Sequence, residues 1–164
     1  PRLSALGARA ILPRDKADTA PFLSDFAETG NDAYDLLRLE LGIPDGARDL
    51  IVEKSLLMES GFDELNGIDW DKGCYMGQET TARTKHRGLV KKRLMPVRVD
   101  GPLPAAGTPV FSGEQEIGEM RSGRDSRALA LIRLEALGGD NSPSPTFSSG
   151  EAQVTPQRPG WASF

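Results

Sequence analysis

The sequence predicts an α+β fold, and three observations carry the prediction. Apolar residues recur at helical spacing through the first half, and short apolar runs between glycine and proline turns fill the second. About half of the residues are apolar once the 18 glycines are counted, enough to bury a core. The character changes near residue 92, so the expected organisation is a helix-bearing region over 1–92 and a small all-β lobe over 93–164. At 164 residues the chain has the length of about one domain, and 12 prolines keep its elements short.

Taken in order, residues 3–12 read as an opening strand with nothing before it. With no initiator Met, such a start predicts a sequence that begins inside a larger protein. Over 21–28, Phe22, Leu23 and Phe26 recur at helical spacing behind Pro21, and Gly30 supplies a stop, which predicts a short helix. Asn31 is expected to cap a second helix over 32–41, with Tyr34, Leu37 and Leu41 on one face and Gly42 with Pro44 closing its end. Pro44-Asp45-Gly46-Ala47 is turn chemistry, 51–58 fits helix and strand equally, and 62–65 reads as one helical turn before Ile68-Asp69-Trp70. After Gly88 the chain turns extended. A strand is expected over 94–99, a hairpin in which Val110-Phe111 meets Ile117 across Ser112-Gly113, and a buried strand over 128–134. A Ser/Pro-rich loop over 140–150 and Trp161 as a late packing anchor complete the β-rich part.

Composition excludes several functions. A formal charge of −4, from 20 Lys plus Arg against 24 Asp plus Glu, does not suit a protein that coats polyanions wholesale. One Cys and one His furnish neither a Cys/His zinc site nor an intramolecular disulfide. No window approaches the roughly 18 apolar residues of a spanning helix, and the start lacks the basic and apolar regions of a signal peptide, so an intracellular protein with no membrane partner is expected.

The densest chemistry lies at Lys72-Gly73-Cys74-Tyr75-Met76-Gly77-Gln78-Glu79, followed by Thr80-Thr81-Ala82-Arg83-Thr84-Lys85 at helix-compatible spacing. A helix beginning near Gly77 sets unpaired backbone N–H groups and a positive dipole end beside Cys74. Lys72 and Arg83 act in the same sense, so the thiol is expected to ionise more readily than a free Cys of pKa about 8.5. That makes Cys74 an accessible nucleophile or metal ligand; the plainer reading makes it a small buried hydrophobe. A Cys protease dyad is not expected, because a helix would carry the only His, His86, about 18 Å from Cys74 at 1.5 Å per residue. Nucleotide binding has no support either: no Lys-Ser/Thr pair follows the glycines, and no G-x-G-x-x-G occurs.

Residues 83–98 hold Arg83, Lys85, Arg87, Lys91, Lys92, Arg93 and Arg98 with no acid, and those seven cations leave the rest of the chain at −11. Such a stretch grips phosphates or the polyglutamate tail of a folate, with His86 as an added donor, or it is a solvated face. Aromatic interleaving of the kind that favours single-stranded nucleic acid is absent. Arg38-Leu39-Glu40, read by itself, is a solvated helical surface, since Arg38 and Glu40 are two apart and point in different directions.

With these residues in view, the sequence resembles the YgfZ-type folate-binding proteins, including their mitochondrial iron–sulfur assembly relatives. Those proteins are built on the fold of the glycine-cleavage T protein, an aminomethyltransferase. The resemblance spans most of the chain. Its signature, K-G-C-Y-x-G-Q-E with A-R and a basic R-G stretch after it, is matched by Lys72, Gly73, Cys74, Tyr75, Gly77, Gln78 and Glu79, then by Ala82-Arg83 and Arg87-Gly88. Supporting likenesses are Pro1-Arg2-Leu3 with Leu6-Gly7 and Arg9, which looks like the end of the family's first domain, Arg38-Leu39-Glu40-Leu41-Gly42-Ile43-Pro44, and Ala128-Leu129-Ala130-Leu131-Ile132.

The resemblance implies an aminomethyltransferase-like α/β lobe followed by a small C-terminal β-barrel, around a folate-sized hole that a missing N-terminal lobe of the same protein helps to form. Tetrahydrofolate is the implied ligand, with Glu40 on the pterin and Arg83, Lys85 and Arg87 as its further binding residues. Cys74 is the implied functional thiol and a candidate shared ligand of a transient iron–sulfur cluster; no metal site is expected within the chain alone. The implied role is an accessory factor for assembly or maintenance of iron–sulfur proteins, not a conventional enzyme, with assembly proteins and cluster-containing client enzymes as partners. The alternatives are a tetrahydrofolate-dependent aminomethyl transferase in which Cys74 is structural, and an RNA-binding module in tRNA modification that uses residues 83–98. The cytoplasm is the expected location, or the mitochondrial matrix for a eukaryotic source.

Overall fold

Alternation of inward and outward side chains organises the second half. In the computed structural model, which describes residues 3–16, 21–88, 90–138 and 144–163 and only the backbone of Arg87, six antiparallel strands close into a barrel. They are β1 (Lys92–Asp100), β2 (Pro109–Ser112), β3 (Gln115–Arg124), β4 (Arg127–Arg133), β5 (Phe147–Ser149) and β6 (Ala152–Pro156). The order around the barrel is β1-β4-β3-β2-β5-β6, closed by β6 pairing with β1 from Val97↔Pro156 to Asp100↔Gln153. Closure leaves no strand edge unpaired, and it gives each strand an inner and an outer face. Along β4, Ala128, Ala130 and Ile132 point into the barrel core with Met95, Val97, Val110, Met120 and Val154. The alternate residues Leu129 and Leu131 point outward, and Leu129 is fully buried there against Leu39, with Leu94 of β1.

That outer contact is where the first half sits. Its helices are α1 (Asn31–Glu40), α2 (Gly46–Asp49) and α3 (Gln78–Arg87); no strand precedes β1 among the described residues. Among the described residues the region before β1 therefore carries helices and no strand, in place of the α/β mixture expected there. Residues 3–12 make a single tight turn, Ser4–Leu6, closed at Gly7 with φ +71°, and then run irregularly. A strand needs a neighbour to take its backbone hydrogen bonds, and among the described residues no strand pairs with this segment. Pro1 and Arg2 lie outside the described residues. The short helix expected over 21–28 is a 3-10 turn, Pro21–Asp25, and Phe22, Leu23 and Phe26 are exposed.

The second helix differs from expectation at its start and in its buried face. Gly30, not Asn31, takes the N-cap position, with extended backbone and no side-chain cap. Asp35, Arg38 and Leu39 are the buried residues of α1, while Tyr34 and Leu37 remain exposed. The turn at 44–47 forms the start of α2, where Asp45 caps the helix by accepting from the Ala47 N–H at 3.1 Å. The ambiguous 51–58 segment resolves into turns, and 62–65 is a helical turn closed by the Leu65 N–H on the Gly61 carbonyl at 3.0 Å.

In the barrel the two-residue hairpin loop is Gly113-Glu114, closed by Ser112↔Gln115, one residue later than expected, with Gly113 at φ +60°. The 140–150 segment is not one loop: β5 lies inside it, and residues 140–143 fall outside the description. Trp161 does anchor the end of the chain. Its indole N–H donates to the Leu41 carbonyl at 2.6 Å, and its ring lies so close to Gly61 that a Cβ there would meet it at 2.6 Å. Only glycine fits at 61, which also sits at φ +73°.

Candidate functional site

Cys74 stands on a loop that is pinned on both sides. Before it, the Trp70 indole donates to Asp63 Oδ1 at 2.7 Å, Lys85 Nζ of α3 approaches the same oxygen at 3.4 Å, and that ammonium lies 3.9 Å from the centre of the Trp70 ring. A cation held by a carboxylate and an aromatic face is doubly fixed, and it ties the loop to α3. After the thiol, the Gln78 N–H donates to the Tyr75 carbonyl at 3.2 Å, and the Tyr75 N–H donates to Gln78 Oε1 at 3.4 Å. Gly77 then turns the chain into α3 at φ +85°, and its carbonyl accepts from the Thr81 N–H at 3.2 Å. Between these fixed points Gly73, Cys74 and Met76 are exposed, Met76 completely.

Cys74 is thus the accessible thiol of the first reading, placed just before a helix, and not a buried hydrophobe. The cations expected to act on it have other partners. Arg83 pairs with Glu79 at 2.6 Å across one helical turn, and Lys72 lies 4.5 Å from the centre of the Tyr75 ring. Lys85 is held by Asp63 and Trp70. The side chain of Arg87 lies outside the description, and its backbone ends α3 before Gly88 at φ +59°. Glu40 is on the outer side of α1, half-exposed, with Arg127 Nη1 at 3.4 Å. Among the described residues Glu40 makes no ion pair or hydrogen bond in common with Arg83 or Lys85. A cavity of about 840 Å3 between residues 6–10 and the first two helices is lined by Arg9, Tyr34, Arg38 and Arg48 and, among the described residues, by none of Glu40, Arg83 and Lys85.

Arg38 is the largest correction, for it is 3% exposed and sits at the centre of a polar knot. Its guanidinium donates to Asp35 at 2.6 Å, to Asp49 at 2.9 Å and to the Ser122 hydroxyl at 2.7 Å. Asp49 in turn accepts the Asp45 N–H at 2.8 Å and the Ser122 N–H at 2.9 Å. Asp35 also receives Arg48 at 2.6 Å and Arg124 at 3.1 Å. Hydrogen bonds from Arg48 above all, then from Arg38 and Arg124 against the opposing pull of burial, hold the Asp35 carboxyl well below the usual range. Asp35, with Asp45, raises Arg48 further still.

The knot exists because β3 is irregular. Its register against β4 shifts between Met120 and Gly123, which frees Ser122 from the strand ladder to meet Asp49 and Arg38. Sequence reasoning missed it because, apart from the local Asp35–Arg38 and Asp45–Asp49 contacts, its partners lie 11 to 89 residues apart. The available signals were Gly123 inside a strand pattern and the i,i+3 spacing of Asp35 with Arg38 and of Asp45 with Arg48.

Fit to cofactors is uneven. Among the described residues no group of three or more His, Cys, Asp or Glu could hold a metal ion, and no helix is long and apolar enough to cross a membrane. The Glu40 carboxylate, with one long ion pair, keeps acceptor positions for the paired N–H donors of a pterin. Arg83 and Lys85 would have to leave their present carboxylates to take a glutamyl tail.

Comparison with known proteins places the chain in a lineage. Residues 91–164 match the CAF17 C-terminal β-barrel domain. The chain is 38% identical over 146 residues to the mitochondrial iron–sulfur cluster assembly factor IBA57 of Mus musculus, covering 85% of this chain and 40% of that protein. Against the Homo sapiens protein of the same name it is 38% identical over 151 residues, covering 81% of this chain and 42% of the relative. A homologue from Yarrowia lipolytica is 31% identical over 175 residues, covering 98% of this chain and 35% of the relative. The chain spans about two fifths of the length of these curated relatives.

Proposed function

From a chain that is a homologue of the IBA57-type iron–sulfur cluster assembly factors, with a CAF17 C-terminal β-barrel at 91–164, we propose a role in assembling or maintaining iron–sulfur proteins. Cys74 presents its thiolate to a cluster, a persulfide or a partner protein. The observation that carries this reading is the exposed Cys74 on a loop fixed by Trp70, Lys85 and Gln78 while its own surroundings stay open. One thiol supplies one of the four ligands that a cluster takes, so the cluster is cargo shared with an assembly protein or a client enzyme. The relatives are named as mitochondrial, which supports a matrix location in a eukaryote; for any other source the cytoplasm is proposed.

Tetrahydrofolate is the proposed ligand of the whole protein, where it supplies one-carbon carriage or stability. Glu40 holds the pterin, and Arg83, Lys85 and Arg87 take the tail. The region before β1 is proposed as part of an aminomethyltransferase-like lobe. An N-terminal lobe of the same protein is proposed to cover the apolar side chains of Phe26 and Val52, which stand 72% and 85% exposed.

The test is cluster-enzyme activity in cells carrying full-length wild type, Cys74→Ala or Glu40→Ala, with tetrahydrofolate binding measured by calorimetry on the same proteins. Loss of activity in a folded Cys74→Ala protein is expected, as is weakened folate binding in Glu40→Ala. Full activity without the thiol, together with glycine-cleavage transferase turnover, would favour a one-carbon transferase.

A further inference from the structure

We propose that a small polar cavity between residues 49–60 and the barrel wall is a binding site for an oxyanion, the phosphate or carboxylate head of a small metabolite. The cavity measures about 200 Å3, and Lys54, Ser55 and Glu59 line it opposite Lys92 of β1 and Arg121 of β3. It stands apart from the Cys74 loop and from Glu40, and the proposal does not depend on either.

Arg121 carries the argument. Its side chain is only 7% exposed. One guanidinium nitrogen, Nη1, does all its visible bonding, to the Met120 carbonyl at 3.3 Å and to the Glu119 carboxylate. Nε and Nη2 have no partner among the described residues, and neither is sealed from solvent. A guanidinium buried this far ordinarily has its donors satisfied, because stripping water from a charge without replacing it is costly. The edge left over, Nε with Nη2, is a pair of parallel donors of the kind that receives a carboxylate or phosphate side-on. Arg121 lies in the wall of the cavity, on the same irregular stretch of β3 that presents Ser122 to the helices.

The rest of the lining agrees. Lys54 and Lys92 make no ion pair among the described residues. The Ser55 hydroxyl accepts the Ile51 N–H at 2.8 Å and so keeps its own proton to donate. Of the acids, Asp49 is consumed by Arg38 and two backbone N–H groups, and Glu119 by Arg121. Glu59 is the remaining carboxylate, and burial pushes its pKa up against the opposing pull of Lys92 and Arg93. The uncommitted charge is therefore positive. The volume falls below the roughly 300–1,000 Å3 of pockets for drug-sized ligands, which suits a small head group and not a folate.

The test titrates inorganic phosphate, and separately acetate, into the full chain and follows backbone amide signals of residues 54–60 and 92 by NMR. Saturable shifts confined to these residues and to the Arg121 side chain are expected, with affinity lowered about tenfold or more in Arg121→Gln, as loss of a charge-assisted donor pair implies. Lys54→Gln, at an exposed position, should weaken binding severalfold, and Glu59→Gln should tighten it, while Glu114→Gln in the exposed hairpin loop leaves it unchanged. Tighter binding of phosphate marks a phosphate ester as the ligand, and tighter binding of acetate a carboxylate. If Arg121→Gln does not fold, Lys54→Gln and Lys92→Gln decide. Absence of saturation with both ions, or affinity unaltered by the folded variants, overturns the proposal.

Discussion

Removing the Arg38 guanidinium would leave the buried Asp49 carboxylate without its cation and take one of three cations from Asp35, which makes this residue the most sensitive in the helical half. Breaking a buried pair by deleting one partner costs about 3–5 kcal/mol, so Arg38→Met should lower the urea midpoint sharply. Glu40→Ala, two residues away on the exposed side, removes only a long surface pair worth at most about 1 kcal/mol. Similar losses in the two variants would contradict the knot. Cys74→Ala, at an exposed position with no contact to lose, should change stability by no more than about 0.5 kcal/mol while abolishing alkylation of the native protein. The three residues were not equally legible. Cys74 could be placed from its sequence neighbours, because its glycines and the helix after it are local. Arg38 could not, since what buries it is a strand more than 80 residues later.

Among the elements, the Cys74 loop and α3 separate two glycines that look alike in sequence. Gly77 has φ +85°, and an L residue held there pays about 1–2 kcal/mol, so Gly77→Ala should destabilise the start of α3. Gly73 has no positive φ and nothing within 4 Å of a built Cβ, so Gly73→Ala should melt at the wild-type temperature. Thermal denaturation of the two variants checks the contrast. A second prediction belongs to the α1–α2 clamp. The folded Asp35 carboxyl titrates far below its unfolded value of about 3.9, so its stabilisation is complete above that pH and is lost as pH falls below it. Urea midpoints measured from neutral pH down to strong acid should drop below about pH 4, and Asp35→Asn should flatten that drop. An unchanged slope in the variant would remove Asp35 as its source. Sequence periodicity identified α1 as a helix but assigned its buried face to Tyr34, Leu37 and Leu41, because hydropathy treats a charge as solvent-seeking whatever partners it meets.

At the scale of the molecule, the helical half and the barrel share structure that neither completes alone. Leu39 packs on Leu94 and Leu129 outside the barrel, Ser122 joins the Arg38 knot, and the C-terminal Trp161 returns to Leu41 and Gly61. One cooperative unfolding transition is therefore expected, with Trp fluorescence and far-ultraviolet circular dichroism coinciding, and Leu39→Ala should cost about 2–5 kcal/mol of it. Two separated transitions would show that the halves fold independently. The sequence by itself determined the β-rich character after residue 92, the hairpin to within one residue and the buried strand over 128–134, since short apolar runs between turn residues mark strands. It also determined the helix after Gly77 and the exposed thiol before it, which rest on neighbours a few positions away. Only the tertiary structure decided the order of the strands around the barrel, the irregularity in β3 that frees Ser122, and the burial of Asp35, Arg38 and Asp49. Those depend on which distant groups arrive together, and a charge becomes an interior residue only when its counter-charges and donors are brought to it by the fold.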